Sequence, residues 1–225
     1  MPFTIDRFLK LRPFVYHTTS ARSFITIQND GLLKSATKML EGTKFENVLE
    51  ERRSDSIEFE IDGKTVILRD NRPLLPGSLA LPDGWSLADW LRELNSWVFL
   101  WPGDSERPIG RGRSHYARYA AQSDVIVLRL PLVDLTSTNP DNPLYLTSCN
   151  SGAARHHNGR PATRGPRIFQ TPSSACFAAR DSVEVTFRDS IRIPDGATWA
   201  TNLDGPWRGF RQCRSASHFS YKIVD

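Results

Sequence analysis

The sequence predicts an α+β fold built on a mixed or antiparallel β-sheet. The segments typical of strands are separated irregularly, without the regular β-α-β alternation of a parallel sheet. The chain also lacks the G-x-G-x-x-G and G-x-x-x-x-G-K-[ST] motifs, which argues against a Rossmann or a P-loop fold. Its 225 residues suffice for one well-buried domain. We expect a single domain with its core over about 14–195 and a wrapping C-terminal segment over 196–225.

The composition is that of a soluble globular protein, with 39% hydrophobic and 24% charged residues. The longest apolar runs are far shorter than the roughly 20 residues that a membrane helix needs, and the N-terminal residues lack a signal-peptide pattern. We therefore expect a cytoplasmic protein without a membrane partner. The three cysteines, Cys149, Cys176 and Cys213, are odd in number and widely spaced, so we expect neither a disulfide framework nor a metal site.

The first predicted elements are a strand and a helix. Residues 14–16 are apolar and predict a short buried strand, which the polar residues His17–Ser20 are expected to end. Residues 20–30 suit a helix, because Ser20 can cap its N-terminus and Gly31 stands where a glycine ends the last turn.

A hairpin and a second helix follow. Segments 57–61 and 64–68 alternate apolar and polar residues around Asp62-Gly63, which is the pattern of a β-hairpin. Ser86 with Asp89 three residues later resembles a capping box in its Asp form. The helix that follows has apolar residues on one face at helical spacing: Leu87, Trp90, Leu91 and Leu94.

The second half of the chain is richer in strands. They are predicted over 97–101, 125–131, 144–147, 183–187 and 191–193. The first of these is strongly apolar and is expected to stop at Pro102-Gly103. Residues 111–121 suit a short basic helix. Residues 148–176 form a long irregular segment, of the kind that is often functional or mobile in compact domains.

The charge is mildly basic and unevenly distributed, with a net charge of +4 and a pI near 9.1. Arginines cluster in two stretches that also contain histidine. The first holds Arg107, Arg111, Arg113, His115 and Arg118, and the second holds Arg155, His156, His157, Arg160, Arg164 and Arg167. This pattern favours an anionic partner such as nucleic acid or a dinucleotide, although solvated loops would show it equally well.

Three short features carry candidate chemistry: His17 after the first strand, the aromatic strand around Phe99, and Glu184 on the polar face of a late strand. Each has an ordinary explanation, as a hydrogen-bonded histidine, a core aromatic residue and a solvated glutamate. Their order and spacing along one chain favour a functional explanation more than any of them does alone.

In this order the motifs resemble the ADP-ribosyltransferase superfamily, in the branch with a histidine in the first strand and a glutamate in a late one. The matching stretches are Tyr16-His17-Thr18-Thr19, Gly31-Leu32, Val98-Phe99-Leu100, Asp124 to Leu128 and Val183-Glu184-Val185. The chain is also similar to an uncharacterised bacterial family related to DarT-type DNA ADP-ribosyltransferases. That similarity lies in Leu68-Arg69-Asp70-Asn71 with Pro73, in Leu94 to Trp101 and in Asn150-Ser151-Gly152. The resemblance covers about 14–195.

The resemblance implies a split, mixed or antiparallel sheet with flanking helices and an NAD cleft along the first strand. It further implies an NAD-dependent mono-ADP-ribosyltransferase, of the pentosyl class of glycosyltransferases, that uses NAD as its substrate and needs no metal. The expected acceptor is a DNA or RNA base, with a protein side chain as the alternative. Bacterial relatives of this kind act as toxins or in phage defence, which adds an antitoxin or inhibitor as a candidate partner.

Two other functions fit the same resemblance. One is an RNA 2′-phosphotransferase, which shares the fold and the NAD chemistry, and the other is a catalytically silent module that only binds a nucleotide or nucleic acid. RNA 2′-phosphotransferases use several arginines to contact the substrate phosphate, whereas this chain has a carboxylate in the late strand. Glu184 therefore favours the transferase over both alternatives.

The chemistry of NAD explains why one carboxylate would suffice. Breaking the nicotinamide–ribose bond passes through an oxocarbenium-like sugar, as glycoside hydrolysis does. Nicotinamide leaves as a neutral molecule from a cationic pyridinium, so its departure needs no general acid. The resemblance assigns to Glu184 the catalytic task of holding a ribose hydroxyl and stabilising the developing positive charge.

The resemblance also implies a set of NAD contacts. His17 is suited to bind the adenosine ribose, and Thr18 and Thr19, with backbone atoms nearby, are suited to bind the nicotinamide amide. Phe99 or Trp101 would stack on the nicotinamide ring.

An arginine is expected as a second catalytic residue. Arg69 would neutralise the pyrophosphate or orient the acceptor, with Arg53 and Arg72 as alternatives. The aromatic strand has a phenylalanine where a tyrosine would offer a phenol, so a hydroxyl in the site would have to come from Tyr116 or Tyr119.

Overall fold

The computed structural model describes residues 3–61, 63–121, 124–154 and 159–212. The helices are α1 (Ile5–Leu11), α2 (Ala21–Asp30), α3 (Ala36–Leu40), α4 (Leu87–Asn95), α5 (Gly110–Ala120) and α6 (Leu132–Thr138). The strands are β1 (Phe14–Ser20), β2 (Leu32–Lys34), β3 (Ile57–Ile61), β4 (Lys64–Leu68), β5 (Leu79–Ala80), β6 (Trp97–Gly103), β7 (Val125–Pro131), β8 (Tyr145–Thr147), β9 (Ala162–Thr163), β10 (Glu184–Arg188), β11 (Ser190–Arg192), β12 (Thr198–Ala200) and β13 (Arg208–Gly209). This combination of helices and strands confirms the predicted α+β class.

Seven strands form the central sheet, in the order β13-β12-β7-β1-β6-β10-β8. Every registered pair in this sheet is antiparallel. Three smaller pairs surround it, β2 with β11, β3 with β4, and β5 with β9, and among the described strands only β5 and β9 run parallel. Of the two sheet types predicted, the central sheet is therefore the antiparallel one.

The sheet splits between β1 and β6. β1 pairs with β7 over its whole length, from Phe14 to Ser20, but within the described residues its pairing with β6 covers only Phe14 to Tyr16. The prediction that the strand ends at His17 is therefore wrong. A strand that keeps one neighbour stays extended even when its other neighbour turns away, and the polar residues lie on the edge that β6 leaves open.

β6 also runs further than predicted, since Pro102 and Gly103 belong to the strand instead of stopping it. They lie opposite Val15 and Phe14 of β1. The Pro102 carbonyl accepts a hydrogen bond from the Ile109 N–H at 2.9 Å, on the side away from β1. Because the N and O atoms of one residue point to the same side of a strand, the proline removes no donor from the β1 ladder.

The local patterns for the first helix and the hairpin are confirmed. Ser20 caps α2 by accepting a hydrogen bond from the Ser23 N–H at 3.1 Å, and Gly31 ends it with a left-handed φ of 67°. β3 and β4 form the predicted hairpin, of which the turn residue Asp62 lies outside the described residues. Ser86 and Asp89 form the expected capping box of α4.

The core lies against one face of the central sheet. Val15, Leu100, Leu128, Val185 and Phe187 are completely buried there. Helices α1, α2 and α6 cover this face with their own apolar side chains. A second cluster packs α4 against Trp97 of β6 on the other face. The two clusters together leave the open edge of β1 between them.

The C-terminal segment extends the sheet. β12 pairs with β7, and β13 pairs with β12, so these two strands form one edge of the central sheet. The segment that was predicted to wrap around the domain therefore contributes strands to its sheet. Residues 213–225, with Cys213 and Phe219, lie outside the described residues, as do Arg155, His156 and His157. In the described ranges, no helix combines the length and apolar character that crossing a membrane requires.

Candidate active site

A cavity of about 1660 Å³ opens at the split in the sheet. Seven of the residues predicted from the sequence line it: His17, Thr18, Thr19, Arg69, Phe99, Trp101 and Glu184. They come from β1, the end of β4, β6 and β10, so residues far apart in the sequence meet in one place. Tyr116 is the one predicted site residue that does not line this cavity.

The His17 imidazole occupies the gap that β6 leaves beside β1. Its Nδ1 atom lies 3.1 Å from the carbonyl oxygen of Phe99. A carbonyl only accepts, so Nδ1 carries the proton and Nε2 remains an acceptor. Burial, with a smaller contribution from the Arg69 charge, lowers the pKa of His17 to about 4. The ring is therefore neutral at neutral pH and suited to accept a hydrogen bond from a hydroxyl group.

The edge of β1 beyond Tyr16 offers backbone groups to a ligand. Thr18 and Thr19 are buried, at 6% and 5% exposure, and both remain paired with β7 on the far side. On the near side β6 has turned away, so the alternating N–H and C=O groups of this edge face the cavity. An extended edge of this kind binds amide groups in the way that a further strand would.

The two aromatic residues of β6 differ in what they offer. Trp101 is only 7% exposed, and it packs with Tyr16 and with His115, whose ring centroid lies 5.2 Å away. Phe99 is partly exposed and faces Thr186 of β10. Phe99 is therefore the less enclosed of the two rings that line the cavity.

The register of three neighbouring strands positions Glu184 relative to His17. β10 pairs with β6 as far as Val185, and one more residue brings Glu184 alongside Trp101. Trp101 in turn faces Tyr16, the neighbour of His17. Adjacent strands are about 4.8 Å apart, so the carboxylate strand lies roughly 10 Å from β1 across the cavity.

The Glu184 carboxylate is buried, at 3% exposure, and is hydrogen-bonded by Thr147, the last residue of β8, and by the turn that follows this strand. The Thr147 hydroxyl lies 2.9 Å from Oε2, and the Ser151 N–H lies 3.2 Å from each carboxylate oxygen. Burial raises the pKa of Glu184 to about 7, against the opposing effects of these hydrogen bonds and of the Arg164 charge. Near neutral pH the group therefore exists in both protonation states.

Arg69 is one of several basic residues that line the cavity. Its guanidinium carbon lies 4.2 Å from the centre of the Tyr119 ring, in a cation–π contact. The neighbouring Asp70 accepts from Arg118 at 2.5 Å and from the Tyr119 hydroxyl at 3.0 Å. Burial lowers the pKa of Arg69, and its buried Nη1 atom has no hydrogen-bond partner among the described residues.

The two alternative arginines are engaged elsewhere. Arg53 is buried and donates to the Arg69 carbonyl at 3.0 Å and to the Asn95 side chain at 3.0 Å, so it supports the hairpin end. Arg72 is exposed and pairs with Asp55 at 2.8 Å, outside the cavity lining. Of the three, Arg69 is the one that lines the cavity with a buried Nη1 atom that has no partner among the described residues.

Helix α5 presents different residues to the cavity than predicted. Tyr116 packs beside Tyr16 and Trp101, whereas His115 and Tyr119 line the cavity. Burial, followed by the Arg69 charge, lowers the pKa of His115 to about 3, so this ring is neutral. The spacing of four between His115 and Tyr119 was the available signal, since it places both on one helix face.

The sequence motifs also missed Thr147, whose hydroxyl bonds the carboxylate, and Arg164, whose guanidinium bonds the turn that contains Ser151. Ser151 lies within the Asn150-Ser151-Gly152 stretch but had no assigned role. The described residues contain no group of three or more His, Cys, Asp or Glu side chains that could hold a metal ion. The cavity thus combines two neutral imidazoles, several arginines and one carboxyl group that titrates near neutrality. Such a set suits a ligand that has hydroxyl groups, negative charge at one end and developing positive charge at the other.

Comparison with known proteins gives one assignment. No curated protein matches the sequence. The model described as "Family of unknown function (DUF7002)" matches residues 13–194, a range that includes every element from β1 to β11. Because this range covers most of the chain, the protein belongs to the DUF7002 family of unknown function.

Proposed function

We propose that the protein is an NAD-dependent mono-ADP-ribosyltransferase. The observation that supports this most is the split between β1 and β6, with His17 in the gap and buried Glu184 on the strand beyond β6. A neutral imidazole with a free Nε2 suits a ribose hydroxyl, and the open edge of β1 suits the carboxamide of nicotinamide. Arg69 suits the pyrophosphate, because a guanidinium matches phosphate oxygens with parallel hydrogen bonds.

The reaction breaks the bond between the pyridinium nitrogen and C1′ of the ribose. The bond electrons go to the ring, which leaves as neutral nicotinamide, and positive charge develops on the sugar. Ionised Glu184 stabilises that charge from its fixed position, since its hydrogen bonds need no rearrangement during the reaction. The acceptor then attacks C1′ and releases a proton to water. Only the carboxylate form is useful here, so activity should rise as pH increases through about 7.

For the acceptor we propose a nucleic-acid base. Arg111 and Arg118 of α5 line the cavity, and they lie seven residues apart, on one face of the helix. Arg111 is exposed and has no carboxylate partner among the described residues, so it remains available to a phosphate. A protein side chain is the alternative acceptor. A role as a toxin or in phage defence, with an antitoxin or inhibitor, rests on the resemblance of the sequence motifs alone.

The decisive experiment measures nicotinamide release and transfer together. Purified protein is incubated with NAD and separately with DNA oligonucleotides, RNA oligonucleotides and a protein mixture, and each product is weighed by mass spectrometry. We expect nicotinamide release and an adduct of the mass of one ADP-ribosyl group on a nucleic acid. The Glu184→Gln variant serves as the matched control and should give neither product above background.

Three other outcomes would contradict the proposal. Binding of NAD without nicotinamide release would favour the silent nucleotide-binding module. Transfer of a 2′-phosphate from RNA to NAD would favour the phosphotransferase. Absence of NAD binding by calorimetry would exclude both NAD-dependent functions and would leave a silent module that binds nucleic acid or another nucleotide.

A further inference from the structure

Glu184 is hydrogen-bonded by Thr147 of the neighbouring strand β8 and by a backbone N–H of the turn that follows β8. The Ser151 N–H lies 3.2 Å from both carboxylate oxygens, which places it on the axis of the carboxylate. Ser151 is itself completely buried. This contact exists only if the peptide group before Ser151 is held in one orientation, because a backbone donor cannot rotate independently of its chain.

The Arg164 side chain holds this turn by hydrogen bonds to its backbone carbonyls. Its Nη2 atom donates to the carbonyl oxygens of Asn150 and Ala153, both at 2.9 Å, and its Nη1 atom donates to the Thr163 carbonyl at 2.8 Å. The two carbonyls bonded by Nη2 flank Ser151 on either side. The only backbone hydrogen bond that closes the same turn, within the described residues, is the 3.4 Å contact from the Ala153 N–H to the Asn150 carbonyl.

The position of Arg164 is itself fixed by strand pairing. Its N–H donates to the Ala80 carbonyl at 3.0 Å, directly after the parallel pair of β5 and β9. The side chain is 7% exposed. Within the described residues it has no carboxylate at ion-pair distance, although a buried cation is costly without a compensating charge.

Among the described residues, few charged or titratable groups lie near Glu184. Arg164 acts on the carboxyl group directly, and its charge lowers the pKa of Glu184 against the effect of burial. Cys149, on the same turn segment, is a neutral thiol because burial raises its pKa. Arg111 of α5 lies close enough to influence that thiol. Among the described residues, Arg164 is therefore the positive charge that acts on the carboxylate.

We propose that Arg164 is a positioning residue for Glu184. Its hydrogen bonds hold the Asn150–Ala153 turn in the conformation in which the Ser151 N–H donates to the Glu184 carboxylate. Its guanidinium also places a positive charge next to that turn. Its catalytic consequence rests on the proposed function, whereas its effect on the carboxyl group does not and can be measured without NAD.

The test compares two variants of Arg164 with one control. Arg164→Lys keeps the charge but cannot bond three carbonyls with fixed geometry, whereas Arg164→Met removes the charge at similar side-chain length. The control, Arg167→Met, removes an exposed charge three residues away. The titration of the Glu184 carboxyl carbon is followed by NMR, with Glu184→Gln to assign the signal. We expect the titration midpoint to rise in both Arg164 variants, by about one pH unit or more in Arg164→Met. The Arg167→Met midpoint should match the wild type.

Activity supplies the second measurement. A misplaced carboxylate should reduce kcat by about tenfold to a hundredfold and move the pH profile of kcat upward, while the KM for NAD changes little. Unchanged Glu184 midpoints in both Arg164 variants, or an equal shift in Arg167→Met, would overturn the proposal. Failure of both Arg164 variants to fold would assign the arginine to stability alone and would overturn it equally. Raised midpoints in a protein that never cleaves NAD would uphold the positioning role and reject the proposed function.

Discussion

At the scale of single residues, the hydroxyl group of Thr147 shows how Glu184 is held. Its oxygen lies 2.9 Å from the carboxyl oxygen Oε2 and 2.6 Å from the Cys149 carbonyl, yet it has one hydrogen to donate. With the carboxyl protonated, Glu184 donates to Thr147 and Thr147 donates to Cys149, so every group is satisfied. With the carboxyl ionised, two acceptors compete for one hydrogen. This competition limits how far the Thr147 hydroxyl lowers the pKa of Glu184, which burial raises to about 7.

Glu184→Gln should separate catalysis from binding. The amide keeps the size of the side chain but cannot carry the charge that the oxocarbenium-like state needs, and losing one preorganised electrostatic partner costs on the order of 100- to 1000-fold in rate. A group that acts mainly on the transition state contributes little to ground-state binding, so NAD affinity should change only a few-fold. Single-turnover kinetics and calorimetry measure the two quantities. Transfer at the wild-type rate would show that another group carries the reaction.

His17→Ala should weaken NAD binding and leave the fold intact. The half-buried imidazole offers Nε2 as an acceptor, and a hydrogen bond lost in a desolvated site costs about 1–3 kcal/mol, or roughly ten- to a hundredfold in affinity. Tyr116→Phe is the matched control, because this phenol lies outside the cavity and its loss should leave affinity unchanged. Equal affinity of His17→Ala and wild type in calorimetry, or a variant that unfolds, would make His17 a structural residue.

At the scale of elements, the contact of α5 with β6 depends on a glycine. A Cβ atom on Gly112 would lie 2.8 Å from the Cβ atoms of Pro108 and Trp101, which is closer than real Cβ atoms approach. A Cβ on Gly110, at the start of the same helix, would meet only the end of the flexible Arg113 side chain at 3.8 Å. The helix therefore lies on the strand more closely than any other residue at position 112 allows.

Gly112→Ala should destabilise the protein and Gly110→Ala should not. Both changes remove a helical glycine, which by itself favours the helix by up to about 1 kcal/mol. At Gly112 the overpacking against Trp101 should exceed that gain, at typically 1–3 kcal/mol. Urea denaturation of both variants gives the comparison. A Gly112→Ala variant as stable as Gly110→Ala would mean that α5 can move off β6 at no cost.

At the scale of the whole molecule, three titratable groups with displaced pKa values shape the dependence of stability on pH. His17 and His115 have pKa values lowered to about 4 and about 3, so below pH 6.5 the unfolded chain binds protons that the folded one does not. Their contribution to stability is lost as pH falls. The pKa of Glu184 is raised to about 7 from 4.5, so the folded state binds the extra proton in that window and stability falls as pH rises through it.

We expect maximum stability near pH 6.5. Between pH 4.5 and 6.5 the two histidines are protonated only in the unfolded state, and Glu184 is protonated only in the folded state. The unfolded state therefore binds about one proton more, and the free energy of unfolding rises by about 1.4 kcal/mol per pH unit. Above pH 6.5 only the carboxyl group remains, and stability falls slightly until about pH 7. The lowered pKa values of Asp89 and Asp104 act only below about pH 4.

Free energies of unfolding from denaturant titrations between pH 5 and 8 measure this profile. In Glu184→Gln the decline above pH 6.5 should vanish, because the variant has no charge to bury, and the slope on the acid side should about double. A Glu184→Gln profile identical to that of the wild type would show that the carboxyl group titrates normally in the folded protein.

Much of the local structure follows from short stretches of the sequence. The cap of α2 at Ser20, its end at Gly31 and the capping box at Ser86 are decided by contacts within three or four residues, so the pattern and the structure agree. The alternation in β10 likewise predicts that Glu184 leaves the core face occupied by Val185. Helices α1, α3 and α6 were not predicted, because five to seven residues are too few to show a helical period.

The remaining features depend on neighbours distant in the chain. β1 continues through His17 because β7 pairs with it, and no residue within β1 could show that β6 turns away. Consecutive residues of a helix point about 100° apart, so the rotation at which α5 packs on the sheet decides which of them faces the cavity. In this structure His115 lines the cavity and Tyr116 does not.

Glu184 depends both on its local sequence and on neighbours distant in the chain. Its residue type and its place on a late strand are written in the sequence, and they suffice to name Glu184 as the candidate. Its hydrogen bonds come from Thr147 and Ser151, which are 37 and 33 residues away, and from a turn that Arg164 holds. Burial and electrostatic interactions act through space and fall off with distance, so the ionisation of Glu184 depends on which groups the fold brings next to it.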